Sequence, residues 1–248
     1  MSPPLINTLL YGSLAGLATI LGIYLVLLVR KWAERNSVYL ISFASGVLLS
    51  VTFLHLIPES LALSSLALPA VLLAFVFFYL LEHSLILHRC RGERCQGEDP
   101  HHHNLGVMAI LGIGFHSLID GAVIALGFEV SFSLGILATL SVLLHEVPEG
   151  IASISILLHG GYSRSRAVFL SYLVALATPL GAFLTYFWAR GIGSAVLGAG
   201  LGFAAGSFLY VAASDLIPEV HRESKIFNIP FVILGLGLPI LVERLLGH

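Results

Sequence analysis

Charge is what this sequence lacks. Asp, Glu, Lys and Arg make up 10% of its 248 residues, whereas a soluble globular domain carries about 25%. Such a chain cannot clothe itself in an ordinary water-facing surface. Cysteine is scarce as well: Cys90 and Cys95 are the only two. Both fall in one polar segment that the charge distribution assigns to a reducing cytosol, so a structural disulfide is not expected. No G-x-x-x-x-G-K-[ST] phosphate loop occurs, which leaves ATP-driven pumping by this chain without support. The first apolar stretch lacks a basic lead and an A-x-A-like cleavage site, and it is read as a span rather than a cleaved signal.

What the chain has instead is long apolar runs. Stretches of roughly 18 to 25 residues recur, each able to cross a ~30 Å hydrocarbon core as a helix. Eight spans are expected, near 5–29, 38–61, 66–87, 106–128, 133–158, 167–189, 193–216 and 226–246. The expected fold class is an all-α integral membrane protein, with residues 1–248 forming one transmembrane domain. Loops on one side would hold Arg30, Lys31, Arg35, Arg89, Arg91, Arg94, Arg164, Arg166, Arg222 and Lys225, and the other side only Arg190 and Arg244. Ten against two places the first group in the cytoplasm and both termini outside the cytoplasm, with the cell membrane as the expected location.

The chain also repeats itself. Residues 43–59, FASGVLLSVTFLHLIPE, align without gaps to 203–219, FAAGSFLYVAASDLIPE, with nine of seventeen positions identical. These segments belong to spans 2 and 7, five spans apart, so they run in opposite directions. Between them lie His116-Ser-Leu-Ile-Asp120-Gly121 on span 4 and His145-Glu146-Val-Pro148-Glu149-Gly150 on span 5. The expected plan is three spans, a central pair and three spans, an inverted repeat of the kind that places substrate sites near the membrane midplane.

The central pair carries the chemistry. His116 and Asp120 are four residues apart, as are His145 and Glu149, so each pair projects from one helix face. Ionisable groups near the middle of a span are costly unless paired, hydrated or bound to a metal. A divalent cation would satisfy all four, because two imidazoles and two carboxylates suit zinc, iron, manganese or cadmium. Glu146 lies about 100° round the helix from His145 and could contact a second ion or a path wall. Pro148 cannot donate to the Leu144 carbonyl and should loosen the helix beside His145.

At this point HSLIDG on the fourth span and HEVPEG on the fifth resemble the signatures of the ZIP (Zrt/Irt-like) family of divalent-metal transporters, in its bacterial or archaeal form. The resemblance covers nearly the whole chain. It implies uptake of zinc, and often iron, manganese or cadmium, by an elevator-like motion of one helix bundle against another, with the metal as transported substrate and no catalytic cofactor. Carried over by position, it makes His116, Asp120, His145 and Glu149 first-site ligands and puts Ser117, Glu146 and Thr178 where some bacterial relatives hold a second ion. Those relatives place an Asn after the fourth-span His and a Glu before the sixth-span Pro-Leu-Gly-Ala. Here Ser117 and Thr178 occupy these places, and hydroxyls are weak neutral ligands for zinc. One tightly held ion is therefore expected.

Further polar residues gather at span ends. His55 and Glu59 close span 2 on the outer side, while Asp215, Glu219 and His221 close span 7 on the inner side, joined there by Glu82 and His83 of span 3. They could be way stations for a cation or helix-end residues meeting headgroups. The loop 88–104 contains Cys90, Cys95 and His101-His102-His103. Its biased composition suits a metal-buffering or sensing tract, although no spacing matches a zinc-finger framework.

Two rival functions remain at this level. An intramembrane metalloprotease is suggested by His145-Glu146, as in H-E-x-x-H, but the fifth residue is Glu149 rather than His. A metal-selective channel is the other, because sequence does not show whether access alternates. The chain is expected to be a transporter and not an enzyme. Its expected partners are the cation and the lipid bilayer, with no nucleic acid and with a homodimer left open.

Overall fold

The computed structural model describes residues 3–90, 102–222 and 228–246, with side chains apart from those of residues 3, 34, 82, 84–90, 102–109 and 246. Among the described residues there is no strand. The helices run Pro4–Ala33, Arg35–Leu63, Ala67–Cys90, His102–Val130, Phe132–His159, Arg164–Ala189, Ser194–Arg222 and Asn228–Leu246, and are called the first to eighth spans. Seven are long and apolar enough to cross a membrane, and the third is a 24-residue helix whose described apolar part is Ala67–Leu81. At 1.5 Å per residue that helix is about 36 Å long, enough to cross as well. Helices are what a bilayer demands, since each satisfies its own backbone where no water can.

The outside of the bundle is apolar. Leu72 and Leu73 on the third span, Phe169 and Leu176 on the sixth and Ile233 and Leu234 on the eighth are all exposed. An apolar surface of this extent fits lipid, not water. Inside, Val47, Leu48, Val51, Ile124, Leu137, Leu201 and Phe208 form one buried cluster drawn from the second, fourth, fifth and seventh spans.

Two features depart from the expected spans. The first and second are not separated by a loop; two helices abut at Val29, whose backbone (φ −135°, ψ 47°) is non-helical, and the second of them already includes residues 30–37, which were expected to lie between spans. Residues 30–37 contain neither Gly nor Pro, so nothing stops the helix, and Asn36 donates to the Trp32 carbonyl (2.9 Å) within it. Polarity alone does not end a helix.

The second departure is a pair of π turns, Thr52–Leu56 and Ala212–Leu216, in which Ile57 N–H donates to the Thr52 carbonyl and Ile217 N–H to that of Ala212. Each precedes an Ile-Pro step, Ile57-Pro58 and Ile217-Pro218. Proline lacks an N–H and its ring clashes with the carbonyl four residues back, and a wider turn relieves that conflict. Both π turns occupy the same five positions of the repeated segment, the tenth to fourteenth of 43–59 and of 203–219.

Glycine contacts bring the site-bearing spans together. A methyl group on Gly150 of the fifth span would lie 2.1 Å from the Thr19 carbonyl oxygen of the first, and one on Gly121 of the fourth span 2.0 Å from that of Thr178 on the sixth. The first span thus presses on the fifth as the sixth presses on the fourth. Close approach through small residues is how helices gain packing energy in lipid.

Candidate metal centre

The fourth and fifth spans carry the site. His116, Asp120, His145 and Glu149 each offer a ligand atom, and the four atoms lie within 4.8 Å of one another. His116 Nε2 and His145 Nε2 are each 3.3 Å from Asp120 Oδ2, and Glu149 Oε2 is 4.0 Å from His116 Nε2. The two imidazole centroids are 5.6 Å apart. Asp120 is fully buried and His145 only 3% exposed. Phe78 of the third span and Phe208 of the seventh stand nearly perpendicular to the His116 and His145 rings, at 6.1 and 5.8 Å between centroids.

Hydrogen bonds set the directions of these groups. His145 Nδ1 lies 2.8 Å from the Ser141 carbonyl oxygen, an acceptor to which it must donate. That bond leaves the lone pair on Nε2, the nitrogen turned to Asp120. The Ser117 hydroxyl lies 2.5 Å from Glu149 Oε1 and 3.0 Å from the Ile113 carbonyl. Five other polar atoms of the cluster are orphans: His116 Nδ1 and Nε2, both Asp120 oxygens and His145 Nε2 are buried with no hydrogen-bond partner among the described residues.

Orphaned buried lone pairs are costly, and a cation answers that cost directly. Four ligand atoms about 2.1 Å from a tetrahedral zinc stand about 3.4 Å apart, so the 4.8 Å cluster closes on such an ion by small side-chain rotations. The donor set of two nitrogens and two carboxylates fits zinc, cadmium, iron or manganese.

The other sequence-derived candidates fall elsewhere. Glu146 is fully buried but outside the cluster; its carboxylate accepts from Thr178 (2.5 Å, to Oε1) and from Thr19 (to Oε2). Ser117 and Thr178 are buried hydroxyls bound to carboxylates. His55 is 8% exposed in its π turn, with Nδ1 3.7 Å from Glu243 of the eighth span. Glu59 is partly buried, and Asp215, His221 and His83 are exposed. Glu219 lies 3.5 Å from Arg222, and His83 stacks on Tyr79. The side chains of Glu82, Cys90, Cys95, His101, His102 and His103 lie outside the described residues.

Sequence reasoning missed Thr19 and Glu243. A signal for Thr19 existed: Ala18-Thr19-Ile20-Leu21-Gly22 and Ala177-Thr178-Pro179-Leu180-Gly181 share four of five residues. It extends the repeat from the second and seventh spans to the first and sixth.

Comparison with known proteins places the chain. Residues 87–243, more than half of it and including the whole His116, Asp120, His145 and Glu149 cluster, match the family model described as ZIP Zinc transporter. Zinc transporter SLC39A7 of Homo sapiens is 35% identical over 139 residues, covering 54% of this chain and 30% of the relative. Metal cation symporter ZIP14 of Mus musculus is 33% identical over 145 residues, covering 54% of this chain and 28% of the relative. An uncharacterized zinc transporter, P8A3.03, of Schizosaccharomyces pombe is 36% identical over 115 residues, 43% of this chain and 25% of the relative. The match thus spans less than a third of each relative's length. A match across both spans of the four-residue cluster, on a chain of membrane-length helices, makes this protein a member of the ZIP family.

Proposed function

We propose that this chain is a secondary transporter that carries divalent transition-metal cations, zinc first and cadmium, iron or manganese after it, into the cytoplasm by alternating access. The observation that carries this reading is the set of four side chains on two adjacent spans whose ligand atoms lie within 4.8 Å of one another, with both Asp120 oxygens and the Nε2 atoms of His116 and His145 buried without a hydrogen-bond partner among the described residues. The names of the relatives, zinc transporter and metal cation symporter, point to the same cargo. His116, Asp120, His145 and Glu149 hold the ion, and Asp120, facing both imidazoles, is its central anion.

The architecture proposed is a 3+2+3 inverted repeat in the cell membrane, with both termini extracytoplasmic. Supporting it are the two π turns in one register, the matching A-T-x-L-G segments and the paired crossings of spans 1 with 5 and 6 with 4. The ten-to-two distribution of Lys and Arg supports the orientation. His55 with Glu243 on one side and Asp215 on the other are proposed stations for the ion, since they fill the same position of the repeat. The His-rich loop is proposed to buffer or sense metal.

The protease reading fares worse. Its general base would be Glu146, yet both oxygens of that carboxylate are engaged by threonine hydroxyls. Uptake into proteoliposomes containing only this protein, with zinc, cadmium, iron and manganese in competition, tests the proposal. Saturable zinc entry supports it; peptide cleavage without entry would replace it by the protease, and non-saturating flux by a channel.

A further inference from the structure

Among the described residues, Glu146 is the fully buried carboxylate that the metal cluster leaves out. Its two oxygens are held separately, Oε2 by the Thr19 hydroxyl of the first span and Oε1 by the Thr178 hydroxyl of the sixth. Thr19 and Thr178 occupy the same place in the A-T-x-L-G segments, three residues before Gly22 and Gly181. At those glycines the two spans touch the fifth and the fourth: a methyl on Gly22 would lie 2.1 Å from the Val147 carbonyl oxygen, and one on Gly181 2.0 Å from that of Leu118. One carboxylate is thus clasped by equivalent residues of two related segments.

The place of this clasp along the fifth span matters. Pro148 lies within the helix Phe132–His159 and cannot donate a hydrogen bond to the Leu144 carbonyl. The missing bond falls between His145 and Glu149, the two ligands this span supplies. Backbone restraint is therefore weakest where ligand direction counts most. Glu146, one residue after His145 and three before Glu149, restores it through a side chain.

We propose that Glu146 is a positioning residue and not a fifth ligand: clasped by Thr19 and Thr178, it fixes the rotation of the fifth span at its proline and so aims His145 and Glu149 at the ion. This rests on the reading of the four-residue cluster as the zinc site. Hydroxyls and carboxylate meet as donors and acceptor, one donor on each oxygen of Glu146, and Glu146 stands outside the four-residue cluster. Carboxylate groups beyond the ligands commonly set ligand direction in metal sites.

The test is zinc titration of the purified full-length protein carrying His101→Ser, His102→Ser and His103→Ser, so that the loop histidines do not contribute. Thr19→Val and Thr178→Val keep side-chain shape and remove the donor. Each should weaken core zinc binding roughly three- to tenfold, the range one hydrogen bond commands, without changing the number of ions bound. Thr19→Ser and Thr178→Ser, which keep the hydroxyl, should bind within about twofold of the parent by the same reasoning. If a valine variant is not recovered folded, Glu146→Gln carries the same expectation, weaker binding at unchanged stoichiometry. Valine variants that bind like the parent overturn the clasp, as does loss of a core ion in Glu146→Gln alone, which would make Glu146 a ligand. His145→Ala run alongside separates the two readings: core zinc surviving that change overturns the site itself, and the clasp's role with it.

Discussion

The Ser117 hydroxyl donates across the boundary between the fourth and fifth spans to Glu149 Oε1, at 2.5 Å, in the turn that follows His116. Glu149 is the proposed ligand farthest from Asp120's pairing with the imidazoles, 4.0 Å from His116 Nε2, and this bond sets which of its oxygens is turned to the cluster. Ser117→Ala should raise the zinc concentration for half-maximal uptake by roughly three- to tenfold while leaving the maximal rate near wild type, because one hydrogen bond is lost and no ligand is. An unchanged half-saturation would deny Ser117 this orienting role.

Removing a ligand is a harsher change. His116→Ala or His145→Ala leaves three donors around a dication in low dielectric and leaves Asp120 buried with one of its two imidazole neighbours gone. Saturable zinc uptake should fall to background while the protein still reaches the membrane. Two variants that transport at the wild-type rate would show that the cluster is not the transport site.

The membrane core should hold one tightly bound ion. A second would need oxygens beyond the cluster, and the nearby hydroxyls of Ser117 and Thr178 already donate to Glu149 and Glu146. Two dications a few ångströms apart also repel strongly in a weakly screening interior. Anomalous scattering from crystals at saturating zinc should reveal a single strong peak between the fourth and fifth spans; two peaks of comparable height there would defeat the expectation.

Glycines at the crossings set the spacing of the spans. Gly150→Ala would place a methyl 2.1 Å from the Thr19 carbonyl oxygen, and Gly121→Ala 2.0 Å from that of Thr178. Overpacking of this kind costs about 1–3 kcal/mol, so both variants should unfold at lower temperature in detergent. Gly114→Ala, where a methyl meets nothing within 4 Å, serves as the control and should melt like wild type. Equal melting of all three would mean the spans part easily.

The histidines at positions 101–103 should tune transport and not carry it. His101, His102 and His103 precede the fourth span's site by more than a dozen residues. Changing all three to Ser should alter the metal dependence of uptake modestly. Complete loss of uptake in a well-folded variant would put the loop on the path.

What the sequence made legible follows from periodicity and length. The pairs His116/Asp120 and His145/Glu149 were readable as shared faces because four residues bring a helix nearly full circle, whatever its neighbours do. Spans were readable because a bilayer fixes how many apolar residues a helix needs. The continuity of the helix through Arg30–Ser37 was not, because a polar segment resembles a loop until one asks what would terminate the helix. Thr19 was missed for a different reason: its signal lies in the resemblance of its segment to that of Thr178 and not in any local signature, and its partner Glu146 is 127 positions away. Glu243 escaped in the same way, as its meeting with His55 joins the second span to the eighth.

Each π turn takes up one residue more than an α-helical turn of the same advance would need, so the helix before it and the helix after it are out of phase. One residue corresponds to about 100° of azimuth. The second and seventh spans can therefore show one face to their neighbours above the turn and a different one below it. A single-residue deletion inside Thr52–Leu56 or Ala212–Leu216 would restore simple α-helical phase and swing the Leu-Ile-Pro-Glu end round by that angle, separating His55 from Glu243. Chain length in these two stretches thus acts as an indexing device.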